Sequence, residues 1–136
     1  LARPRADGLG FPVEFLSAAA EAIPLERASA DTVLVTWSLC SVGEPLAALA
    51  EIRRVLSPRG TLLFCEHGAA PDAGVRRWQE RLNPAWRRLG GGCHLDRDVP
   101  ALLRSAGFAT RDMQTGYVSG LRFASFNYLG SATPAP

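Results

Sequence analysis

The stretch Asp31-Thr-Val-Leu-Val-Thr-Trp-Ser-Leu-Cys-Ser-Val-Gly-Glu-Pro45 reads as a strand that stops abruptly and opens a helix. Thr32 to Trp37 is short, apolar and β-branched, the pattern of a strand covered on both faces as in a parallel sheet. Ser38 to Glu44 is small and polar enough for a loop. Pro45 fits the first turn of a helix, where its missing N–H costs nothing. In open α/β sheets, ligands sit beyond the carboxyl ends of the strands. Trp37, Ser38, Leu39 and Cys40 are therefore placed on a candidate ligand edge.

After Pro45, Leu46, Leu49, Ile52 and Val55/Leu56 recur at three- and four-residue steps, giving one apolar helical stripe. Arg53 and Arg54 fall near its end, where the helix dipole favours cations. Ser57-Pro-Arg-Gly60 ends the helix, and Thr61 to Glu66 is a second buried strand leading to His67 and Gly68. Strand, helix, strand implies a right-handed parallel crossover. Upstream, Leu1 to Pro12 reads as a loop or a severed end, and Val13 to Leu16 as a short strand.

Downstream, Gly74 to Leu89 is helical, with Val75, Trp78, Leu82, Trp86 and Leu89 on one face. Asn83-Pro84 predicts a break into two helices, Asn83 capping the second. Gly90 to Gly92 is a flexible joint. Asp98 caps a short helix that Gly107 stops. Phe108 to Thr115 and Arg122 to Leu129 predict an antiparallel strand pair, and Ser131 to Pro136 a tail. The expected organisation is a loop at 1–12, one domain at 13–130 and a tail at 131–136.

Composition narrows the function. A hydrophobic fraction of 47% suits a globular chain, and a net charge of +2 is too small to imply a nucleic-acid partner. All 15 basic residues are arginine, which removes a Schiff-base lysine, a phosphate-loop lysine and a Tyr-x-x-x-Lys dehydrogenase pair. With no G-x-G-x-x-G either, a nucleotide-dependent oxidoreductase is disfavoured. Cys40, Cys65 and Cys93 lack C-x-x-C spacing, which reads as buried thiols in a reducing, cytoplasmic setting with no metal site. No apolar run approaches the ~18 residues of a membrane span.

The runs Ala20-Glu21-Ala-Ile-Pro24-Leu, Ala30-Asp31-Thr-Val and Leu49-Ala-Glu51-Ile-Arg53-Arg54-Val-Leu-Ser-Pro58-Arg-Gly60-Thr-Leu resemble the central half of class I S-adenosylmethionine-dependent methyltransferases. The family pattern is A-E-x-L-P-F, F-D-x-V and L-x-E-x-x-R-V-L-x-P-G-G. This chain has Ile23 for Leu, Ala30 for Phe and Arg59 for the first Gly. Leu39-Cys40-Ser41-Val42, Phe64-Cys65-Glu66-His67, Asn83-Pro84-Ala85-Trp86 and Gly92-Cys93-His94-Leu95 further resemble the methyltransferase-like proteins that include thiol S-methyltransferases.

The resemblance implies a Rossmann-like α/β sheet, mostly parallel with an antiparallel C-terminal hairpin. The family's first strand and glycine-rich loop are absent from the sequence, so the chain is expected to be the C-terminal part of a longer enzyme. The cofactor implied is S-adenosylmethionine, with Ala20 and Glu21 on the adenine side and Trp37, Ser38 and Leu39 lining the strand edge. Trp37 has two readings, a π face toward the sulfonium or a core side chain. His94 and His67 are the candidate bases, each also readable as a loop-fixing residue. The acceptor is expected to be a small, apolar molecule, with a thiol favoured. A rival expectation is a non-catalytic remnant that binds a partner or associates through an exposed sheet edge.

Overall fold

Pro45–Val55 forms helix α1, as the apolar spacing predicts, with the proline in its first turn and Arg53 and Arg54 in its last. The computed structural model of the chain describes residues 10–135. Ala48, Leu49, Ile52 and Val55 are buried, whereas Leu46, expected in the same stripe, is 48% exposed. Strand β1, Ala30–Thr36, precedes this helix and strand β2, Leu56–His67, follows it. The two strands pair in parallel, so the expected crossover forms. The turn expected at 57–60 is instead the irregular start of β2: Ala30 opposes Leu56, but Thr32 opposes Thr61. Pro58 bars a helix here but not an extended chain, and the register shift absorbs the extra residues.

Strand β3, Phe108–Tyr117, and strand β4, Phe126–Pro134, are antiparallel, as expected; β3 runs two residues past its sequence signal, and β4 begins at Phe126 rather than Arg122, since Arg122–Ala124 form a 3-10 turn, and runs on to Pro134. The sheet order is β1-β2-β4-β3, so β4 lies between β2 and β3 and is antiparallel to both. Ser131 and Ala132, expected in a tail, pair with Leu63 and Leu62. Small residues give a weak strand signal, yet backbone pairing on both sides holds them in the sheet.

Val35, Leu62, Phe64 and Ala132 project from one sheet face into a core with Leu49 and Ile52 of α1. Leu103 of helix α3, Val99–Ser105, joins the same core. The other face carries Leu34, which is 68% exposed, and the exposed Leu63 and Leu129. Among the described residues β1 is therefore an edge strand covered on one face, not on both as its apolar run suggests. Val13 to Leu16 form no strand and are exposed; four residues of alternation do not hold a strand alone. No helix among the described residues is long and apolar enough to cross a membrane.

Ala73–Leu89 is one continuous helix, α2, with Pro84 inside it. The predicted break does not occur because Asn83 is not a cap. Its side-chain Nδ2 donates to Asp96 Oδ1 at 2.8 Å and its side-chain Oδ1 accepts from Leu95 N–H at 3.0 Å. Those tertiary bonds offset the one helical bond that proline removes. The buried side of α2 is polar, Gln79 and Asn83, while Trp78 and Leu89 of the expected apolar face are exposed. Asp98 caps α3 through Ala101 N–H at 2.9 Å, and Gly107 ends it with φ of +77°, both as predicted.

One carboxylate ties the N-terminal turns to α1. Glu51 accepts from Ile23 N–H at 3.0 Å and from Arg54, whose guanidinium also donates to the carbonyls of Ile23 and Leu25. The hydrogen bond from Arg54 holds the Glu51 carboxyl below its usual range. A depressed folded value means the contribution is present above the unfolded value and is lost as pH falls through the folded one. Glu51→Gln is therefore expected to speed hydrogen exchange at Ile23 at neutral pH, while wild type shows that increase only in acid. Equal exchange at neutral pH would show that Arg54 alone holds the turn.

Candidate functional site

The carboxyl ends of β1 and β2 meet at one edge, and a single buried carboxylate organises it. Glu66 is fully buried. Its oxygens accept from Ser38 N–H at 2.8 Å and Cys40 N–H at 3.4 Å, so the loop after β1 wraps the end of β2. Burial raises the Glu66 carboxyl above its ordinary value, against the opposing pull of the Ser38, Leu39 and Cys40 amides. Glu66 thus positions the loop; it is not presented to a ligand.

Trp37 leaves the strand with φ of +45°, a left-handed conformation that is costly for a residue with a Cβ. Its amide donates to the Cys65 carbonyl at 2.9 Å and its indole N–H to Asn127 Oδ1 at 2.9 Å. The side chain is 59% exposed, so the alternative of a core tryptophan does not hold. Ser38 is exposed and donates its hydroxyl to the Thr36 carbonyl, whereas Leu39 is buried and offers a ligand no side-chain surface.

Ala20 and Glu21 form an exposed to half-buried turn. Glu21 Oε1 accepts from the amide of Glu44, the N-cap of α1, at 3.2 Å. That bond brings the 20–21 turn to the loop following β1, so two separated groups of candidate residues share one edge. One Glu21 oxygen is taken by this contact, and Ala20 beside it is exposed.

The glycine joint at 90–92 folds back onto the same edge. His94 N–H donates to the Cys40 carbonyl at 2.8 Å, and the Arg97 guanidinium donates to the carbonyls of Leu39 and Val42, the latter at 2.8 Å. Burial, then the charges of Arg97 and Arg87, lower the His94 imidazole below its ordinary value. The lowering favours the neutral ring, which has a nitrogen able to accept a proton. Its ring is half-buried, with Nδ1 4.0 Å from Asp96 Oδ1.

Three residues that sequence spacing does not connect also meet here. The ligand atoms of Cys40, His67 and Cys93 all lie within 4.8 Å of one another. Cys93 Sγ is 3.0 Å from His67 Nε2 and accepts from the Trp86 indole N–H at 3.3 Å. Burial pushes the Cys40 thiol up to about 11. Cys65 stands apart from this group and is half-buried. His67 therefore faces thiols and not open solvent, which turns its candidate role from acceptor base toward partner of Cys93.

Trp86 also packs edge-on against Phe123, with ring centroids 5.7 Å apart. Phe123, Val75, Trp78 and Leu82 line a largely apolar cleft of about 680 Å³ beside the start of α2. The exposed tryptophan of α2 is thus a cleft wall.

These features sit in a recognisable context. Residues 1–64 match the family described as methyltransferase domain. The chain is 41% identical over 86 residues to thiol S-methyltransferase TMT1B of Rattus norvegicus, covering 62% of this chain and 35% of that protein. It therefore spans about a third of the curated relative it matches. Among solved structures, a SAM-dependent methyltransferase from Methanosarcina mazei superposes with a TM-score of 0.77 at 17% identity, covering 98% of this chain and 76% of that one. A second, the 1,6-didemethyltoxoflavin-N1-methyltransferase of Burkholderia thailandensis with bound 1,6-didemethyltoxoflavin and S-adenosylhomocysteine, gives 0.70 at 17% identity, covering 99% and 56%. The α/β sheet with its antiparallel C-terminal strands is the fold of these class I methyltransferase structures, and the first 64 residues carry the match to the methyltransferase domain.

Proposed function

We propose that the protein transfers a methyl group from S-adenosylmethionine to a small apolar acceptor, with a thiol as the favoured class. The observation that carries this reading is the strand-end loop Trp37 to Cys40, held by Glu66 beside the Ala20–Glu21 turn. It offers an exposed indole beside the exposed Ser38 and Ala20, where a sulfonium nucleoside needs an aromatic face and polar edge contacts. The apolar cleft walled by Trp78 and Phe123 suits an acceptor with little polarity. The relative named a thiol S-methyltransferase favours sulfur among such acceptors.

When bound, S-adenosylmethionine supplies a methyl already activated by its sulfonium, so the protein's task is mainly alignment. Trp37 holds its ring at the strand edge through the Asn127 bond. His94, on a loop tied to the Cys40 carbonyl, takes the acceptor's proton if the thiol arrives protonated.

Incubation of the protein with methyl-labelled cofactor and a small alkyl thiol is expected to yield labelled thioether. Binding of S-adenosylhomocysteine without labelling of any thiol would overturn the acceptor class; absence of both would overturn the function. Trp37→Ala is expected to weaken cofactor affinity by ~0.5–2 kcal/mol, the range of a cation–π contact, while Trp37→Phe retains most of it. His94→Ala is expected to lower turnover with cofactor affinity near wild type. Equal loss of both would assign His94 to the loop's structure.

A further inference from the structure

The geometry points to a zinc site formed by Cys40, His67 and Cys93, with three protein ligands and a fourth position open. The three side chains come from separate elements: the loop after β1, the last residue of β2 and the loop after α2. Their donor atoms lie within 4.8 Å of one another, close enough for one ion to reach all three. Two thiols and an imidazole are a soft to borderline set, which suits zinc and excludes calcium or magnesium.

Three further observations favour a cation here over a simple hydrogen-bonded cluster. First, the Trp86 indole N–H donates to Cys93 Sγ at 3.3 Å, the kind of outer donor that supports a metal-bound thiolate. Second, His67 turns Nε2 into the cluster, 3.0 Å from Cys93 Sγ, so the nitrogen an ion would take is already aimed at the thiols. Third, the framework is pinned before any ion arrives. Glu66 accepts from the Cys40 amide, and the Cys40 carbonyl accepts from the His94 amide next to Cys93.

The charge balance is favourable in a buried place. Zinc displaces one proton from each thiol, and two thiolates cancel the dication. The product is a neutral complex with a water completing the tetrahedron, and two protons leave to solvent. Cys40 and Cys93 are buried, so a neutral product avoids the cost of an uncompensated charge. The inference stands on this cluster alone and does not depend on the proposed methyl transfer.

The test uses the protein purified without oxygen, loaded with Zn²⁺ and dialysed against metal-free buffer. About one zinc per chain is expected to remain by elemental analysis. Loading with Co²⁺ is expected to give the visible bands of a tetrahedral ion and near-ultraviolet sulfur-to-cobalt charge transfer, a readout that needs no variant. Cys40→Ser and Cys93→Ser should each reduce zinc affinity by an order of magnitude or more, with circular dichroism showing the fold intact, and His67→Gln should do the same. Folded wild type that retains no zinc overturns the site. So does a cobalt spectrum without sulfur charge transfer, retention unchanged in the serine variants, or a Cys40–Cys93 disulfide in the zinc-loaded anaerobic sample.

Discussion

Gly68→Ala is expected to lower stability by about 3 kcal/mol and to loosen the strand-end loops in the same step. A Cβ at Gly68 would lie 2.3 Å from the Arg97 carbonyl oxygen, with Tyr128 and Val99 side-chain carbons at 3.3 Å. The glycine cannot move aside. Its amide donates to the Phe126 carbonyl at 3.1 Å, its carbonyl accepts from buried Gln79 at 2.9 Å, and the next amide, Ala69, donates to the Arg97 carbonyl at 2.9 Å. The Arg97 segment must therefore yield. Arg97 is the residue whose guanidinium holds the Leu39 and Val42 carbonyls, so its displacement releases the loop after β1. For a chain of this size ~3 kcal/mol corresponds to a fall of ~10 °C in the unfolding midpoint. Thermal unfolding measured alongside S-adenosylhomocysteine affinity checks both halves. A variant that melts with wild type would show that the Arg97 segment moves freely.

Phe64→Ala is expected to cost about 3–5 kcal/mol, a large share of the roughly 5–15 kcal/mol that holds a domain together. Phe64 is fully buried at the middle of β2. It opposes Val35 across β1 and Gly130 across β4. The ring fills the space that Gly130 leaves: a Cβ there would come within 2.9 Å of Phe64 Cζ. Truncation leaves a cavity that this glycine cannot fill. Phe64→Leu keeps most of the volume and should cost much less. Denaturant titration of the two variants separates them; similar midpoints would mean that the core collapses around the gap.

Local signals were legible in the sequence. The α1 stripe, the Asp98 cap and the Gly107 stop each depend on residues within one or two turns, and each stands where the spacing puts it, save that Leu46 of the stripe is exposed and Leu56 opens β2. The end of β1 was legible to within one residue, since the strand expected through Trp37 ends at Thr36. What could not be read was set by distant partners. Pro84 lies inside a helix because Asn83 bonds the 95–96 segment, and nothing in Asn83-Pro84 itself reports that. The open face of β1 escaped the reading because an apolar run does not say how many faces are covered. The expectation of no metal site rested on the lack of C-x-x-C spacing. Cys40, His67 and Cys93 are 26 to 27 residues apart in sequence, and only the shared strand edge brings them together. The available hint was that each lies just past, or at the end of, an element aimed at that edge.

The placement of β4 has a consequence for how the chain is made. It lies between β2 and β3, yet it follows both in sequence. A ribosome that has released β3 but not Phe126–Pro134 holds a nascent chain with two strand edges and no strand to join them. The β1–α1–β2 crossover can form early, because its contacts are near in sequence, but β3 has no place until β4 arrives. During that interval the exposed edges are open to wrong pairing.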